Sequence, residues 1–292
     1  MRGCRWFVFT ALCAAILIMP IVGLATNDVI QQFDNGSVNW STGKVTAVGV
    51  GAPPPNAVNA AQARAMAKRA AVIDARRNLL EITQGVQLDS MTLVRDFIVQ
   101  SDVVRNSVQG IVRNAQILNT SYLSDGSVEV TMVMSVAGQF ANTVLPSPPS
   151  PSGGQMIPFS PTPLPAPSTI SPKSSAPTME ILTGLVVDAR GLGARPAMSP
   201  KLLDESGKEV YGSAMVNREY AVQQGMAGYS KDLGAAQTNQ RVTDNPLTVK
   251  GMRTVGPGKS DIVISNNDAT KILGAAENLS FMQKCRVMIV LD

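Results

Sequence analysis

Histidine is absent from this 292-residue chain, and cysteine and aromatic residues are scarce. Without histidine the chain lacks the commonest general base, the commonest metal ligand and any Ser-His-Asp or Cys-His catalytic group. Aromatic residues make up only 4% of the sequence, so the cores must consist mainly of aliphatic side chains. No catalytic motif is recognisable. We therefore predict a non-enzymatic protein without a metal ion or cofactor.

Positive and negative charges are nearly balanced. The formal charge is +4, and it falls to +2 if Arg2 and Arg5 are removed with a signal peptide. Nucleic-acid binding depends on dense positive charge that contacts phosphates. We expect the partner to be a protein or a component of the cell envelope, and no nucleic acid. Nothing in the sequence specifies an oligomeric state.

The first residues have the pattern of a signal peptide. Arg2 and Arg5 precede an apolar run over residues 6–19, and small residues follow up to Ala25. This pattern predicts a signal peptide over residues 1–25, cleaved after Ala25. The alternative is an uncleaved anchor, because about 20 apolar residues can just span a bilayer. Export predicts a periplasmic protein that associates with the outer membrane only peripherally.

The number and positions of the cysteines agree with this predicted location. Cys4 and Cys13 lie in the predicted signal peptide, so Cys285 is alone in the mature chain and no internal disulfide can form. Cys285 begins the alternating segment CRVMIVLD, which predicts a strand with the thiol on its apolar face. A buried, inert thiol is favoured over a reactive one.

Residues 59–85 predict one long amphipathic helix. Asn59 is placed to cap its beginning, and Gly85 stands where a left-handed residue would end it. The predicted buried stripe consists of Ala63, Met66, Ala70, Ile73 and Leu80. The basic face, with Arg64, Lys68 and Arg76, is where we expect a partner to bind. Plain solvation of these three side chains is the alternative.

Strands surround this helix in the sequence. Val38–Gly51 and Ser127–Ala137 alternate in the manner of strands, as does 111–123, and Asp125-Gly126 predicts a hairpin turn. Shorter helices are predicted over 92–99 and 101–110. We predict an α+β domain over residues 38–145, in which a long helix packs on a small, mainly antiparallel sheet.

A segment rich in proline and serine follows. Residues 146–177 contain 11 of the 19 prolines of the chain. Such a composition cannot build a core and favours an extended spacer. A proline-rich motif recognised by a partner is the alternative.

Residues 178–292 predict a second domain of the α/β class. A strand precedes Gly191, Ser206-Gly207 suggests a hairpin turn, and 217–224 and 230–238 suggest short helices. The end of the chain has the pattern strand, helix and strand, with Asn267 or Asp268 as the helix cap. A crossover of this length predicts a right-handed parallel βαβ unit.

A polar cluster is predicted where the first strand of this domain ends. Asp188, Arg190 and Arg195 lie close together in sequence, and a small ligand of this domain would bind there. Isolated surface ion pairs are the commoner outcome. Gly191 and Gly193 form a lone GxG, but no helix begins after it, which favours a tight turn over a dinucleotide site.

The run NWSTGKVTAVGVGAPPPNA, the helix AAQARAMAKRAAVIDARRNLLE and the final hairpin with VEVTMVMSV carry a resemblance. Together, over residues 39–137, they resemble the bacterial twenty-kilodalton outer-membrane lipoprotein family, whose domain is similar to the N-terminal domain of flagellar assembly protein T. The resemblance implies an exported, non-enzymatic protein of the outer membrane or of surface machinery such as the flagellar basal body. The lipobox cysteine of that family is absent here, and the family has no catalytic residues to transfer.

These observations lead to one expected function and two alternatives. We expect a structural or assembly module of the cell envelope. The first alternative is a periplasmic binding module that recognises a cell-wall or small polar ligand through its C-terminal domain. The second is an envelope hydrolase, which would have to use a Ser-Lys pair or paired carboxylates in place of histidine.

Overall fold

The structure, a computed structural model, describes residues 27–145, 182–274 and 276–292, without the side chains of residues 276–279. The predicted signal peptide at 1–25 and the predicted linker at 146–177 lie outside the described residues. Within the described ranges, no helix is both long and apolar enough to cross a bilayer. The two sheets and their helices confirm the predicted α+β fold.

The N-terminal part contains a five-stranded antiparallel sheet in the order β1-β2-β3-β5-β4. Its strands are β1 (Ile30–Phe33), β2 (Gly36–Asn39), β3 (Lys44–Gly51), β4 (Gln116–Tyr122) and β5 (Val128–Ser135). The strand predicted over Val38–Gly51 is two strands, because the chain turns at Gly43 with a positive φ of 65°. The hairpin at Asp125-Gly126 is confirmed, and Gly126 takes a φ of 84°.

Helix α1 (Ala60–Gln84) packs across β3 and β5. The Asn59 side chain accepts a hydrogen bond of 2.8 Å from the Gln62 amide, which confirms the predicted cap. The prediction for Gly85 is wrong, because its φ is −80° and its conformation is right-handed. The Gly85 amide bonds back into the last turn of α1, so the helix ends without a left-handed residue.

The predicted buried stripe of α1 is also wrong. Its buried face repeats at four-residue steps through Ala67, Ala71, Ala75 and Leu79. Met66 and Ile73 belonged to the predicted stripe, but their side chains are 42% and 61% exposed.

Close backbone contact decides which face of α1 is buried. A Cβ atom added to Gly49 of β3 would lie 2.0 Å from the Ala75 nitrogen, and one added to Gly51 would lie 2.1 Å from the Ala67 oxygen. Only small residues on both elements permit this approach. The alanine face therefore meets the glycines, and the larger Met66 and Ile73 remain on the opposite side.

Three shorter helices complete this part: α2 (Val94–Gln100), α3 (Asp102–Arg113) and α4 (Gln139–Val144). The helices predicted over 92–99 and 101–110 are confirmed, and the Ser101 side chain caps α3. The strand predicted to begin at Ile111 starts instead at Gln116, since residues 111–113 form the last turn of α3. Helix α4 and strand β1 were not predicted.

The C-terminal part contains a mixed seven-stranded sheet in the order β8-β7-β11-β10-β6-β12-β9. Its strands are β6 (Gly184–Asp188), β7 (Leu202–Leu203), β8 (Glu209–Tyr211), β9 (Gly228–Ser230), β10 (Pro246–Val255), β11 (Asp261–Ile264) and β12 (Val287–Val290). Its helices are α5 (Arg218–Gln224), α6 (Leu233–Gln237), α7 (Asn266–Leu273) and α8 (Ala276–Gln283). The predicted hairpin at Ser206-Gly207 joins β7 and β8.

The predicted parallel βαβ unit of β11 and β12 is wrong. Strand β11 pairs antiparallel with β10, whereas β10 and β12 both run parallel to β6. Strands β11 and β12 are therefore antiparallel and separated by two other strands. The helical pattern between them divides into α7 and α8, and Ser265 caps α7 in place of Asn267 or Asp268.

The two parts of the molecule are in direct contact. The Met198 and Ser199 amides donate to the carbonyl oxygens of Gln87 and Leu88, at 3.0 and 2.7 Å. The rings of Trp40 and Tyr229 meet edge to face, with their centroids 5.8 Å apart. One hydrophobic core contains buried side chains from both sheets. The predicted domain boundaries stay predictions, but the two folded parts do not stand apart.

Candidate functional site

The predicted small-ligand cluster is only partly assembled. The Arg190 guanidinium binds Asp188 in bidentate fashion, with hydrogen bonds of 2.8 and 2.7 Å. These bonds lower the pKa of the Asp188 carboxyl. Arg195 is exposed, and its amide donates to the carbonyl oxygen of Lys259. Among the described residues, no hydrogen bond or ion pair joins the Arg195 side chain to the other two.

Carboxylates surround Arg190. Its pKa is raised, first by the hydrogen bonds to Asp188 and further by the charges of Asp188, Asp232 and Asp292. Asp292 also accepts the Gly191 amide on both carboxylate oxygens, at 2.8 and 3.0 Å. Gly191 has a φ of 77°, so the GxG is a tight turn as predicted. The charge of Arg190 is thus already matched, and this turn offers little to an anionic ligand.

Within residues 27–145, 182–274 and 276–292, no three Cys, Asp or Glu side chains are grouped so that they could hold a metal ion. The Cys285 side chain is fully buried, and burial raises the pKa of its thiol to about 11. The prediction that the Cys285 thiol is buried is confirmed. Its predicted place in the strand is wrong, since Cys285 lies in the preceding turn with a φ of 54°.

The three residues of the predicted partner face do not all lie on one side of α1. The Arg64 guanidinium lies over the ring of Tyr122 on β4, 5.6 Å from its centroid. Arg76 follows Lys68 by eight residues, which turns it about 80° further round the helix. The side chain of Arg76 lines a groove together with residues of α3, whereas that of Arg64 contacts Tyr122 of β4.

A groove lies between α1 and α3 at the position of Arg76. It has a volume of about 450 Å³ and is lined by Ile73, Arg76, Arg77, Leu80, Gln109, Val112 and Arg113. We call it the α1–α3 groove. Apolar side chains from both helices form part of its surface, and three guanidinium groups flank them.

The charges of the α1–α3 groove are unmatched. Within the part of the chain that the structure describes, no carboxylate lies within 4.0 Å of Arg76, Arg77 or Arg113. The Arg76 Nε atom is buried and has no hydrogen-bond partner there. A buried donor without an acceptor costs roughly 1–3 kcal/mol. A partner that supplied an oxygen atom would recover this cost.

Sequence analysis identified Arg76 but missed Arg77 and Arg113. Arg113 lies 36 positions after Arg77 and reaches the groove only because α3 folds back along α1. One local signal was available. If the alanines had been assigned to the buried face of α1, Ile73 would have been an apolar residue on the exposed face.

A second concave region lies between the two parts of the molecule. This cleft has a volume of about 550 Å³, and Trp40 and Ser41 line it from one side, Tyr229 and Arg241 from the other. The Ser41 hydroxyl donates to the Tyr229 carbonyl oxygen at 2.7 Å. The cleft is a mixture of polar and apolar surface without a convergent set of charged groups. It contains no residue that sequence analysis had selected.

The family comparison concerns the C-terminal part. Residues 184–292, which span β6 to β12, match the sequence model of a family described as the second domain of Treponema pallidum Tp0624. No curated protein matches the chain. The matched range excludes residues 39–137, so the resemblance to the lipoprotein family receives no support from it and stays a hypothesis. What the comparison establishes is that the seven-stranded part, less than half of the chain, is similar to that bacterial domain.

Proposed function

We propose that the protein is an exported, non-enzymatic structural or assembly module of the cell envelope that binds a partner protein in the α1–α3 groove. One observation carries the proposal. Three arginines flank an apolar groove, and no carboxylate of the described residues pairs with them. A stable fold gains little from such an arrangement, whereas a docking surface needs it.

The occupant that fits this groove is an acidic amphipathic segment of a partner protein. Its apolar side chains would contact Ile73, Leu80 and Val112. Its carboxylates would pair with the arginines, where bidentate contacts give both strength and orientation. An amphipathic helix bound along α1 and α3 would present its one apolar face to the groove.

The proposed cellular location is the periplasm, where the protein associates peripherally with the outer membrane. It rests on the signal-peptide pattern over residues 1–25 and on the family resemblance of residues 39–137. The same resemblance makes the outer membrane or the flagellar basal body the place to search for the partner.

A photo-crosslinking residue at position 73 tests the proposal in intact cells. We expect Ile73, 61% exposed, to crosslink to an envelope protein, and we expect no such product from Met252, 53% exposed on β10. The double change Arg77→Glu and Arg113→Glu should abolish the product from position 73. Both side chains are exposed, so the fold should survive, and a thermal melt verifies this.

Arg105→Glu is the matched control, since Arg105 lies on α3 outside the groove and pairs with Asp102. The proposal fails if position 73 gives no product, or if the double change and the control have equal effects. Turnover of an envelope substrate by the purified protein, abolished by Asp188→Ala, would contradict its non-enzymatic part.

A further inference from the structure

A second cationic site lies in the C-terminal part, far in sequence from the α1–α3 groove. It is a pocket of about 240 Å³ lined by Tyr220, Gln224, Gln240, Arg241, Lys284 and Arg286. Helix α5, the segment after α6 and the turn before β12 bring these side chains together. We call it the Arg241 pocket.

The Arg241 pocket has three cationic groups and no carboxylate in its lining. In the described ranges of the chain, none of the three forms an ion pair. Arg241 is mostly buried, and burial lowers its pKa. An anion that entered the pocket would therefore meet positive charge that no carboxylate of the described residues neutralises.

Backbone carbonyl groups hold Arg241 in a fixed position. Its Nη1 atom donates to the oxygens of Gly225 and Cys285, at 3.1 and 2.9 Å, and its Nη2 atom donates to the oxygen of Gln224. An arginine has five N–H groups. Those on Nε and the second on Nη2 have no partner among the described residues. These three hydrogen bonds hold the guanidinium in one orientation at the pocket.

The wall of the pocket is also anchored. The Gln224 side-chain amide donates to the carbonyl oxygen of Lys284 at 2.7 Å, which ties α5 to the turn that carries Lys284 and Arg286. Lys284 is exposed and Arg286 half-buried, so both cations are accessible to a ligand that enters from solvent.

We propose that the Arg241 pocket binds a phosphate group, either inorganic phosphate or the phosphate of a small phosphorylated molecule. Three cations match a dianion better than the single charge of a carboxylate. Arginine presents its donors in a planar fork that fits phosphate oxygens. The volume admits a phosphate group and a small organic substituent, which the partly exposed Tyr220 would contact at the rim.

This inference is independent of the proposed docking groove. It would make the C-terminal part a small-ligand binding module, the alternative function that the sequence left open. The binding residues would be Arg241, Lys284 and Arg286, and the turn at Asp188 and Arg190 would have no part in it.

Calorimetric titration of the purified full chain at low ionic strength tests the proposal, since salt screens such contacts. The probes are inorganic phosphate, glycerol 3-phosphate and acetate. We expect at least one phosphate probe to bind, and to bind more tightly than acetate. Stronger binding of inorganic phosphate identifies the free ion as the ligand, and stronger binding of glycerol 3-phosphate identifies a phosphorylated molecule.

Lys284→Ala combined with Arg286→Ala should weaken phosphate binding by more than about tenfold in Kd, because two charge-assisted hydrogen bonds are lost. Lys250→Ala, an exposed lysine on β10 outside the pocket, should leave the Kd unchanged. Both variants retain the buried Arg241, so we expect them to fold. Thermal melting checks that they do. No binding of either phosphate probe, equal binding of acetate, or equal affinity of the double variant overturns the proposal.

Discussion

The Ser90 hydroxyl donates a hydrogen bond of 2.5 Å to the carboxylate of Asp261, although the two residues lie 171 positions apart. Ser90 belongs to the segment between α1 and α2, and Asp261 begins β11. Both are nearly inaccessible to solvent. The Ser90 carbonyl also accepts the Gly258 amide at 2.8 Å. This contact joins the N-terminal and C-terminal parts at a buried point.

Loss of the Ser90 hydroxyl should destabilise the protein. Ser90→Ala leaves a buried carboxylate without its side-chain donor, and we expect a loss of about 1–3 kcal/mol in the free energy of unfolding, measured in urea. Ser206→Ala is the control, because Ser206 makes a similar bond to Asp204 on the exposed hairpin turn. That change should cost no more than about 0.5 kcal/mol. Equal losses of unfolding free energy in the two variants would show that the buried hydrogen bond contributes no more stability than the exposed one.

The stability contributed by Asp261 should depend on pH. Burial raises its pKa above the ordinary value of 3.8, and the bond from Ser90 opposes this only in part. The folded state thus holds the proton more tightly than the unfolded state. The contribution of Asp261 is complete below pH 3.8 and is lost as the pH rises through the raised pKa.

Asp261→Asn removes this titration. The unfolding free energy of the parent protein, minus that of the Asp261→Asn variant, should therefore fall as the pH is raised from about 3.8. Urea unfolding at several pH values measures the difference. A difference that stays constant, or that rises with pH, would contradict the assigned direction.

Two glycine substitutions should have opposite effects. In Gly49→Ala the new methyl group would meet the backbone of α1, and we expect a loss of about 1–3 kcal/mol or more. In Gly110→Ala, within α3, the added Cβ has no heavy atom within 4 Å. Alanine should stabilise that helix by about 0.5–1 kcal/mol. Thermal unfolding distinguishes the two, and tolerance of Gly49→Ala would contradict the close contact between α1 and β3.

Cys285 should resist thiol reagents in the folded protein. Its side chain is buried and its pKa of about 11 keeps it protonated at neutral pH. In a chain that starts at Thr26, we expect reaction with a thiol reagent only after denaturant is added. Val103→Cys, at a position 76% exposed on α3, supplies a rapidly reacting control. Rapid labelling of Cys285 in the native protein would show that β12 and its preceding turn are open.

Local signals in the sequence predicted the elements that depend on neighbouring residues. The cap at Asn59, the Asp125-Gly126 hairpin and the alternation of β5 each involve only a few consecutive positions. The buried face of α1 could not be found in this way. Gly49 and Gly51 select that face, and their effect is visible only when the helix lies on the sheet.

Strand order and both cationic sites depend on distant contacts as well. The segment between β11 and β12 has the length of a parallel crossover, yet β10 and β6 lie between the two strands. The pair of Asp188 and Arg190 was predictable because the residues are two positions apart. Arg241 had no local motif, since its role depends on carbonyl groups of residues 224, 225 and 285.

The position of β12 in the seven-stranded sheet constrains the order in which this part of the chain can fold. Strand β12 follows the other strands of this sheet in sequence but lies between β6 and β9, and β9 has no other neighbour among the strands that the structure describes. The chain is synthesised from its N-terminus. Until β12 is made, β9 has no strand to pair with and one edge of β6 stays open. The five-stranded sheet, by contrast, has all its strands once Ser135 has been added. Unpaired edges recruit foreign strands. Residues 184–286 therefore keep open strand edges until β12 is inserted between β6 and β9.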